Sequence, residues 1–465
     1  AAESAYPRLE GSARIRPAKG ETMTAMSFGR SVGVLSLALA GFVACTVARA
    51  QPALPPLDAA ARRAAVESAA TAFRSRYVSP EIGERAAAAI EAALAKGEYD
   101  ALTERQAFAE KLTADLRAVT ADQHVQVFGA GPPAGAPPAP PPRSEGGVTR
   151  ADRLPGNIGY IEIVALGPPA LFNSAVDRSM AALKDTTALI VDARGAQGGL
   201  LPSVAYFVSY FVSGEKPVHI SDTIARTPDT QTFRTSELWS VSTPFSYDNP
   251  VYVLTSGRTL SAGEAFAYDL QAMKRATLVG ETTSGAANAA GMALLGPGLS
   301  MMLSGARLQN AVTGTNWEGV GVKPDVAAPS ADALEVALER LGRSPPAASE
   351  IDALSEARVF TPRSAQQPGA EAAVRRMSEE NRRGEPNYDL LSPELGEATR
   401  RQLDGLKKTF SDLGPLESVK FVEVNPQGAD TYEVHYANGA ALWTILLDAD
   451  GKTVMAGVRP LQTSQ

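Results

Sequence analysis

The sequence predicts an α/β core, preceded by a helical N-terminal subdomain and followed by a separate α+β domain. Three observations carry this. Residues 57–128 hold apolar side chains at helical spacing with few breakers. From Val148 to Leu341, apolar runs of strand length (Ile158–Ile163, Ala188–Asp192, Val251–Thr255, Ala276–Gly280) alternate with helical stretches, as in a parallel sheet whose strands are buried on both faces. From Gly369 onward helices come first, then four runs with Asn438-Gly439 and Asp450-Gly451 as hairpin turns.

Length and charge set the bounds. The 465 residues leave room for two or three domains, and 44% hydrophobic residues suit a globular protein. A net charge of −7 offers no basic footprint and argues against nucleic acid. Residues 1–50 read as upstream sequence followed by a signal peptide. Arg30 precedes an apolar run, Val32 to Val47, and Ala48-Arg49-Ala50 supplies a cleavage site. The run is too short to span a membrane comfortably, so no stable span is expected after cleavage. The one cysteine, Cys45, falls inside this segment. The mature chain then has neither disulfide nor thiolate, which suits an exported bacterial protein, periplasmic or secreted. No metal or organic cofactor is implied.

In chain order, Ala59–Arg74, Glu81–Lys96 and Thr103–Val119 are expected as helices, with Phe108, Leu112 and Leu116 on one face of the third. Asp122 and Gln123 make a turn, and His124 opens a short strand. Residues 129–147 form a Pro-rich linker. In the core, 148–341, helices are expected over Leu171–Leu183, Leu200–Val212 and Ala331–Leu341, with a strand at Leu299–Leu303. Glu281–Gly291 and Thr313–Gly319 read as loops, and Asp269 and Lys274 as a solvated helix face. Residues 342–368 read as a second linker and 369–465 as the α+β accessory domain.

The stretch Val251–Asp325 organises the chain. A β-branched strand stops at Ser256-Gly257, and helical spacing resumes at Ala262, Ala265, Phe266 and Leu270. Ser261 sits at this strand–turn–helix junction. A hydroxyl there is exposed, and a carbonyl oxygen beside it meets bare N–H groups and the positive end of the helix dipole. Ser261-Ala262-Gly263-Glu264 also spells a capping box, which is the structural reading of the same residues. A serine nucleophile needs a base, and the three histidines are His124, His219 and His435. The glycine-rich turn 194–199 could present N–H groups to an anion, but it lacks the spacing of a dinucleotide site and no P-loop lysine follows.

IVDARGAQGG, YVLTSGRTLSAGEAFAYDLQAMKRATLVGETTSG, TGTNWEGVGVKPD and VTADQHVQVF together resemble the tail-specific (C-terminal processing) serine protease family. The closer likeness is to its branch containing the interphotoreceptor retinoid-binding protein modules and the tricorn protease core. The resemblance implies a protease core of β/α layers, crotonase-like. It implies Ser261 as nucleophile, His124 as general base and Glu318 as the acidic residue, with N–H groups of Ala262, Gly198 and Gly199 as the oxyanion hole. The lysine of the family's other branch would fall on Ala286, so that dyad is absent. The peptide-binding module of many relatives is replaced by the Pro-rich spacer. Gln123 and Ala196-Gln197 also depart from the usual residues. The C-terminal domain resembles NTF2-like modules and could serve oligomerisation.

These readings imply an exported serine endopeptidase acting on peptide or unfolded protein through an acyl-enzyme. Two alternatives remain at this stage: a non-catalytic binder of apolar ligands on the same fold, and an esterase for small substrates.

Overall fold

The computed structural model describes residues 55–129, 143–212, 216–343 and 351–461. The signal segment, Cys45 and most of the Pro-rich linker lie outside the described residues.

The front section holds three helices: α1 (Ala59–Arg76), α2 (Pro80–Ala95) and α3 (Arg105–Thr120). Asp58 and Ser79 cap the first two through their side chains, as short polar residues before apolar-periodic runs do. Helix α3 ends on Ala121 in the left-handed region, φ 52°. The chain then turns through Asp122 and His124 into β1 (Gln126–Gly129).

The core follows as β2 (Val148–Leu154), β3 (Ile158–Ile163), α4 (Pro169–Leu183), β4 (Ala188–Asp192), α5 (Leu201–Ser209), β5 (His219–Arg226), β6 (Phe233–Trp239), β7 (Val251–Thr255), α6 (Ala262–Ala272), β8 (Ala276–Gly280), β9 (Asn288–Gly296), β10 (Leu299–Asn310), β11 (Val326–Ala327) and α7 (Ala333–Arg340). Strands β3, β4, β7, β8 and β11 are parallel; β2 joins β3 antiparallel at the other side. Side-chain alternation decides the layers. Ile161, Ile163, Leu189, Val191, Val251 and Val253 face α4, α5 and α6. Ile158, Tyr160, Ile190 and Leu254 face α7. Covering on both faces explains why these strands are apolar without interruption.

A second sheet runs β1-β10-β5-β6, with β9 on the other side of β10. The front helices pack on it, with Phe73, Phe108, Leu112 and Leu116 in one cluster with Leu295, Met301 and Leu303. This sheet carries the histidine segment to the core, because β1 pairs antiparallel with β10 from Gln126↔Met302 to Gly129↔Leu299.

Three expectations need correction. Residues 342–368 are not simply a linker. They contain α8 (Ile351–Leu354) and β12 (Ala357–Phe360), which adds an antiparallel edge strand to β2. The loop after Glu281 ends at Asn288, where β9 begins, and β10 runs to Asn310 rather than Leu303. Asp269 is no part of a solvated face: it is buried and accepts a hydrogen bond from Asn310 Nδ2 at 2.8 Å.

The C-terminal domain comprises α9 (Ala370–Arg383), α10 (Pro393–Leu413) and an antiparallel meander, β13 (Leu416–Val424), β14 (Asp430–Tyr436), β15 (Gly439–Leu447) and β16 (Thr453–Leu461). Its own core holds Val374, Phe410, Tyr432 and Trp443. The β13–β14 turn is fastened to the core's first residues by Ser144 N–H to Pro426 O and Gly146 N–H to Gln427 O.

Candidate active site

Ser261 sits where β7 hands over to α6, at the carboxyl ends of the parallel strands, where α/β sheets place their ligands. Its backbone is at φ 54° and ψ −116°. An ordinary N-cap is extended, so the capping reading does not account for this conformation. Non-glycine residues at such angles are strained by roughly 1–3 kcal/mol and persist only where neighbours enforce them. The neighbours here are explicit. Thr259 Oγ1 donates to Ala193 O at 2.8 Å, Ser256 Oγ donates to Arg194 O at 2.7 Å, and Leu260 N–H donates to Ala196 O at 2.9 Å. The end of β7 is thus stitched to the glycine turn after β4.

That turn brings Gly198 against Ser261. A Cβ on Gly198 would lie 3.2 Å from Ser261 Cβ and 3.6 Å from its Oγ. Gly199 has φ +147°, and a Cβ there would meet Leu166 O at 2.0 Å. Only glycine fits both demands. Among the described residues no acceptor takes the N–H of Gly198, Gly199 or Ala262. Free amides beside a hydroxyl at a helix N-terminus are what an oxyanion needs.

Glu264 explains how the elbow is held. Its carboxylate accepts from Ser261 N–H at 2.8 Å, so the backward half of the capping box is made. It also accepts from Thr283 Oγ1 at 2.5 Å, Gly285 N–H at 2.6 Å and Ala286 N–H at 2.9 Å. Glu264 is fully buried, and its four donors satisfy it. Through these bonds the helix of Ser261 grips the loop 283–288.

The same loop reaches the other two residues. Ala287 and Asn288 donate their N–H groups to Glu318 Oε2 at 2.6 and 2.8 Å. Asn288 Nδ2 donates to Asp122 Oδ2 at 3.3 Å. Asp122 Oδ1 accepts the N–H of His124 at 2.9 Å. The His124 side chain is mostly buried. Burial lowers the basicity of His124 from its ordinary value; Asp122 and Glu264 oppose this. Glu318 is pushed up to about 8, first by burial and then by the charge of Asp122. Its Oε1 has no hydrogen-bond partner, and neither has Nδ1 of His124. Glu318 therefore joins the network through Asn288 and Asp122.

The other histidines are engaged elsewhere. His219 stacks on Trp239 at 4.7 Å and contacts Asp222 Oδ1 at 2.9 Å; His435 contacts Glu433 on the accessory sheet. Arg194 pairs with Asp192 and donates to Ser330 O, an anchor at a strand end. Glu281 accepts the N–H groups of Gly257 and Ser330, a loop-holding role. Sequence reading assigned Asp122 only to a turn and left Asn288 in a loop. The Asp-x-His spacing was a usable signal for the first, since an aspartate side chain commonly bonds the N–H two residues on. Nothing local marks Asn288.

Residues 157–328 match the family model described as peptidase family S41. Residues 58–149 match the N-terminal domain of peptidase S41 in eukaryotic IRBP. These spans coincide with the α/β core and the helical front section, and together cover more than half of the chain. The protein is a serine-type peptidase. It belongs to peptidase family S41.

Solved structures with likeness to it include a peptidase-like protein of Parabacteroides merdae, with 19% identity and TM-score 0.46 over 60% of this chain and 96% of that one. The photosystem II D1 C-terminal processing protease matches with 17% identity and TM-score 0.38, over 58% of this chain and 93% of its own. The tricorn protease matches with 13% identity and TM-score 0.40, over 63% of this chain and 36% of its own.

Proposed function

We propose that the chain is an exported serine endopeptidase that cleaves peptide or unfolded protein substrates. Ser261 is the nucleophile, His124 the general base and Glu318 the acidic member of the network, with N–H groups of Ala262, Gly198 and Gly199 receiving the oxyanion. The observation that carries this reading is the strained elbow: Ser261 at φ 54°, with Gly198 packed against its side chain. A helix cap has no use for that strain, whereas a nucleophile aimed out of a turn does.

The chemistry follows from the arrangement. Ser261 Oγ attacks the scissile carbonyl as His124 takes its proton. The carbonyl oxygen gains charge and is met by the bare amides, each worth about 3 kcal/mol in comparable sites. Collapse expels the amine, protonated by His124, and leaves an acyl-enzyme that water hydrolyses by the reverse proton path. Export rests on the signal segment before Gln51. Among the described residues no helix is long and apolar enough to cross a membrane. The C-terminal domain, two helices packed with a four-stranded meander, is read as an NTF2-like accessory module that binds a ligand or a second copy.

A fluorophosphonate probe tests the reading. Covalent labelling of Ser261, lost in Ser261→Ala and in His124→Ala, together with cleavage of an unfolded protein, is the expected result. Equal cleavage by Ser261→Ala would refute it, and ester turnover without peptide turnover would point to an esterase.

A further inference from the structure

We propose that Asp122 is the positioning residue for the general base: its carboxylate holds the turn of His124 and faces the ring nitrogen Nδ1. The inference rests on the catalytic role proposed for His124 above.

Three geometric facts support it. Asp122 Oδ1 accepts the backbone N–H of His124 at 2.9 Å and lies 3.9 Å from His124 Nδ1. Asp122 is 1% exposed and its Oδ2 accepts from Tyr77 Oη at 3.1 Å and from Asn288 Nδ2 at 3.3 Å. Its carboxylate is thereby fixed from the front helices and from the loop that grips the Ser261 helix. Nδ1 of His124 has no hydrogen-bond partner, and Glu318 Oε1 has none either. Of the two carboxyls, Asp122 is the one in contact with the histidine turn.

The chemistry is balanced without any further group. When His124 takes the serine proton at Nε2, the ring becomes an imidazolium with a proton on both nitrogens. The Nδ1–H then needs an acceptor, and Asp122 Oδ1 is the carboxylate oxygen 3.9 Å from Nδ1. No proton passes to Asp122; it stays an anion, orients the ring and stabilises the charge. The other groups acting on the ring are Glu264, which also favours the charged form, and Arg117, which opposes it while clamping Gln123 O and Val125 O. Glu318 is pushed up to about 8, first by burial and then by the charge of Asp122.

The test compares the parent, Asp122→Asn and Asp122→Glu as full-length proteins, each checked for folding by thermal unfolding. The first readout is the pH dependence of fluorophosphonate labelling and of kcat and KM for peptide cleavage. Asp122→Asn keeps an acceptor for the His124 N–H and removes the charge. It is expected to lower kcat about a hundredfold with KM unchanged, and to move the labelling midpoint to lower pH; Asp122→Glu is expected to restore part of both. A folded Asp122→Asn variant with the parent's kcat and midpoint overturns the proposal. So does one whose activity falls only with its folded fraction. The second readout uses the parent alone, so it survives a variant that fails to fold. Nitrogen-15 shifts of the ring, assigned through His124→Gln, are expected to show the neutral tautomer protonated at Nδ1. A proton resting on Nε2 overturns the proposal. If the parent is not labelled at Ser261 at all, the catalytic reading itself has failed, a result distinct from either.

Discussion

The turn carrying Ser261 and the loop carrying Glu318 each centre on a glutamate, Glu264 fully buried and Glu318 half-buried, and they are finished differently. Behind Ser261, Glu264 takes four donors and has no spare oxygen. In the loop, Glu318 takes two donors on Oε2 and leaves Oε1 unpaired. The first glutamate is a structural clamp that pays for the strain of the elbow. The second is a titratable group, set beside another carboxylate and pushed toward its neutral form. The Ser261 turn is therefore held on every side, while Glu318 can respond to protonation.

The comparison can be broken most sharply at the nucleophile. Ser261→Ala is expected to reduce kcat/KM by about a thousandfold or more with little change in unfolding free energy, read by peptide hydrolysis and urea denaturation. Loss of the clamp comes next. Glu264→Ala strands the N–H groups of Ser261, Gly285 and Ala286 and is expected to cost about 3–5 kcal/mol. Glu318→Ala, with two such groups released, is expected to cost less than half as much. Equal losses at the two glutamates would remove the distinction drawn here.

Glu318→Gln sharpens it through pH. With its carboxyl raised from 4.5 to about 8, native Glu318 keeps a proton that the unfolded chain releases above 4.5. This contribution to stability is complete below pH 4.5, declines as pH rises, and is gone above about 8. Asp269, raised to about 7 by burial, declines over a lower window in the same sense, while His124 acts oppositely below its ordinary value. Subtracting the Glu318→Gln curve from the parent's isolates the first term, with a slope approaching about 1.4 kcal/mol per pH unit. A flat difference between pH 5 and 8 would contradict the raised carboxyl. The smallest effect is at the elbow backbone: Ser261→Gly relieves φ 54° and is expected to stabilise by up to about 1 kcal/mol while abolishing labelling.

Local chemistry made much of the fold legible. Ile158–Ile163, Ala188–Asp192, Val251–Thr255 and Ala276–Gly280 are strands at the residues expected, because a strand buried on both faces must be apolar throughout. Other elements escaped, β6 and β12 among them. Strand β6 is exposed along most of its length and shows no apolar alternation. Strand β12 is four residues long, in a Pro-rich stretch, and is defined only by pairing with β2. Asp269 reads as solvated in the sequence, but it is buried and its hydrogen-bond donor, Asn310, is 41 residues away.

For the site, the sequence alone determined the parts: a hydroxyl at a strand–helix junction, a glycine turn that admits no side chain, a histidine after an aspartate turn, a carboxylate in a loop. Tertiary structure alone decided how they connect. Pairing of β1 with β10 brings His124 toward the core, and the loop 283–288 carries its hydrogen bonds to Glu264, Glu318 and Asp122. Hydrogen bonds between segments from some twenty to more than a hundred and fifty residues apart leave no periodicity in the chain, and a carboxyl's protonation state follows from burial and neighbouring charge. Both exist only once the chain has folded.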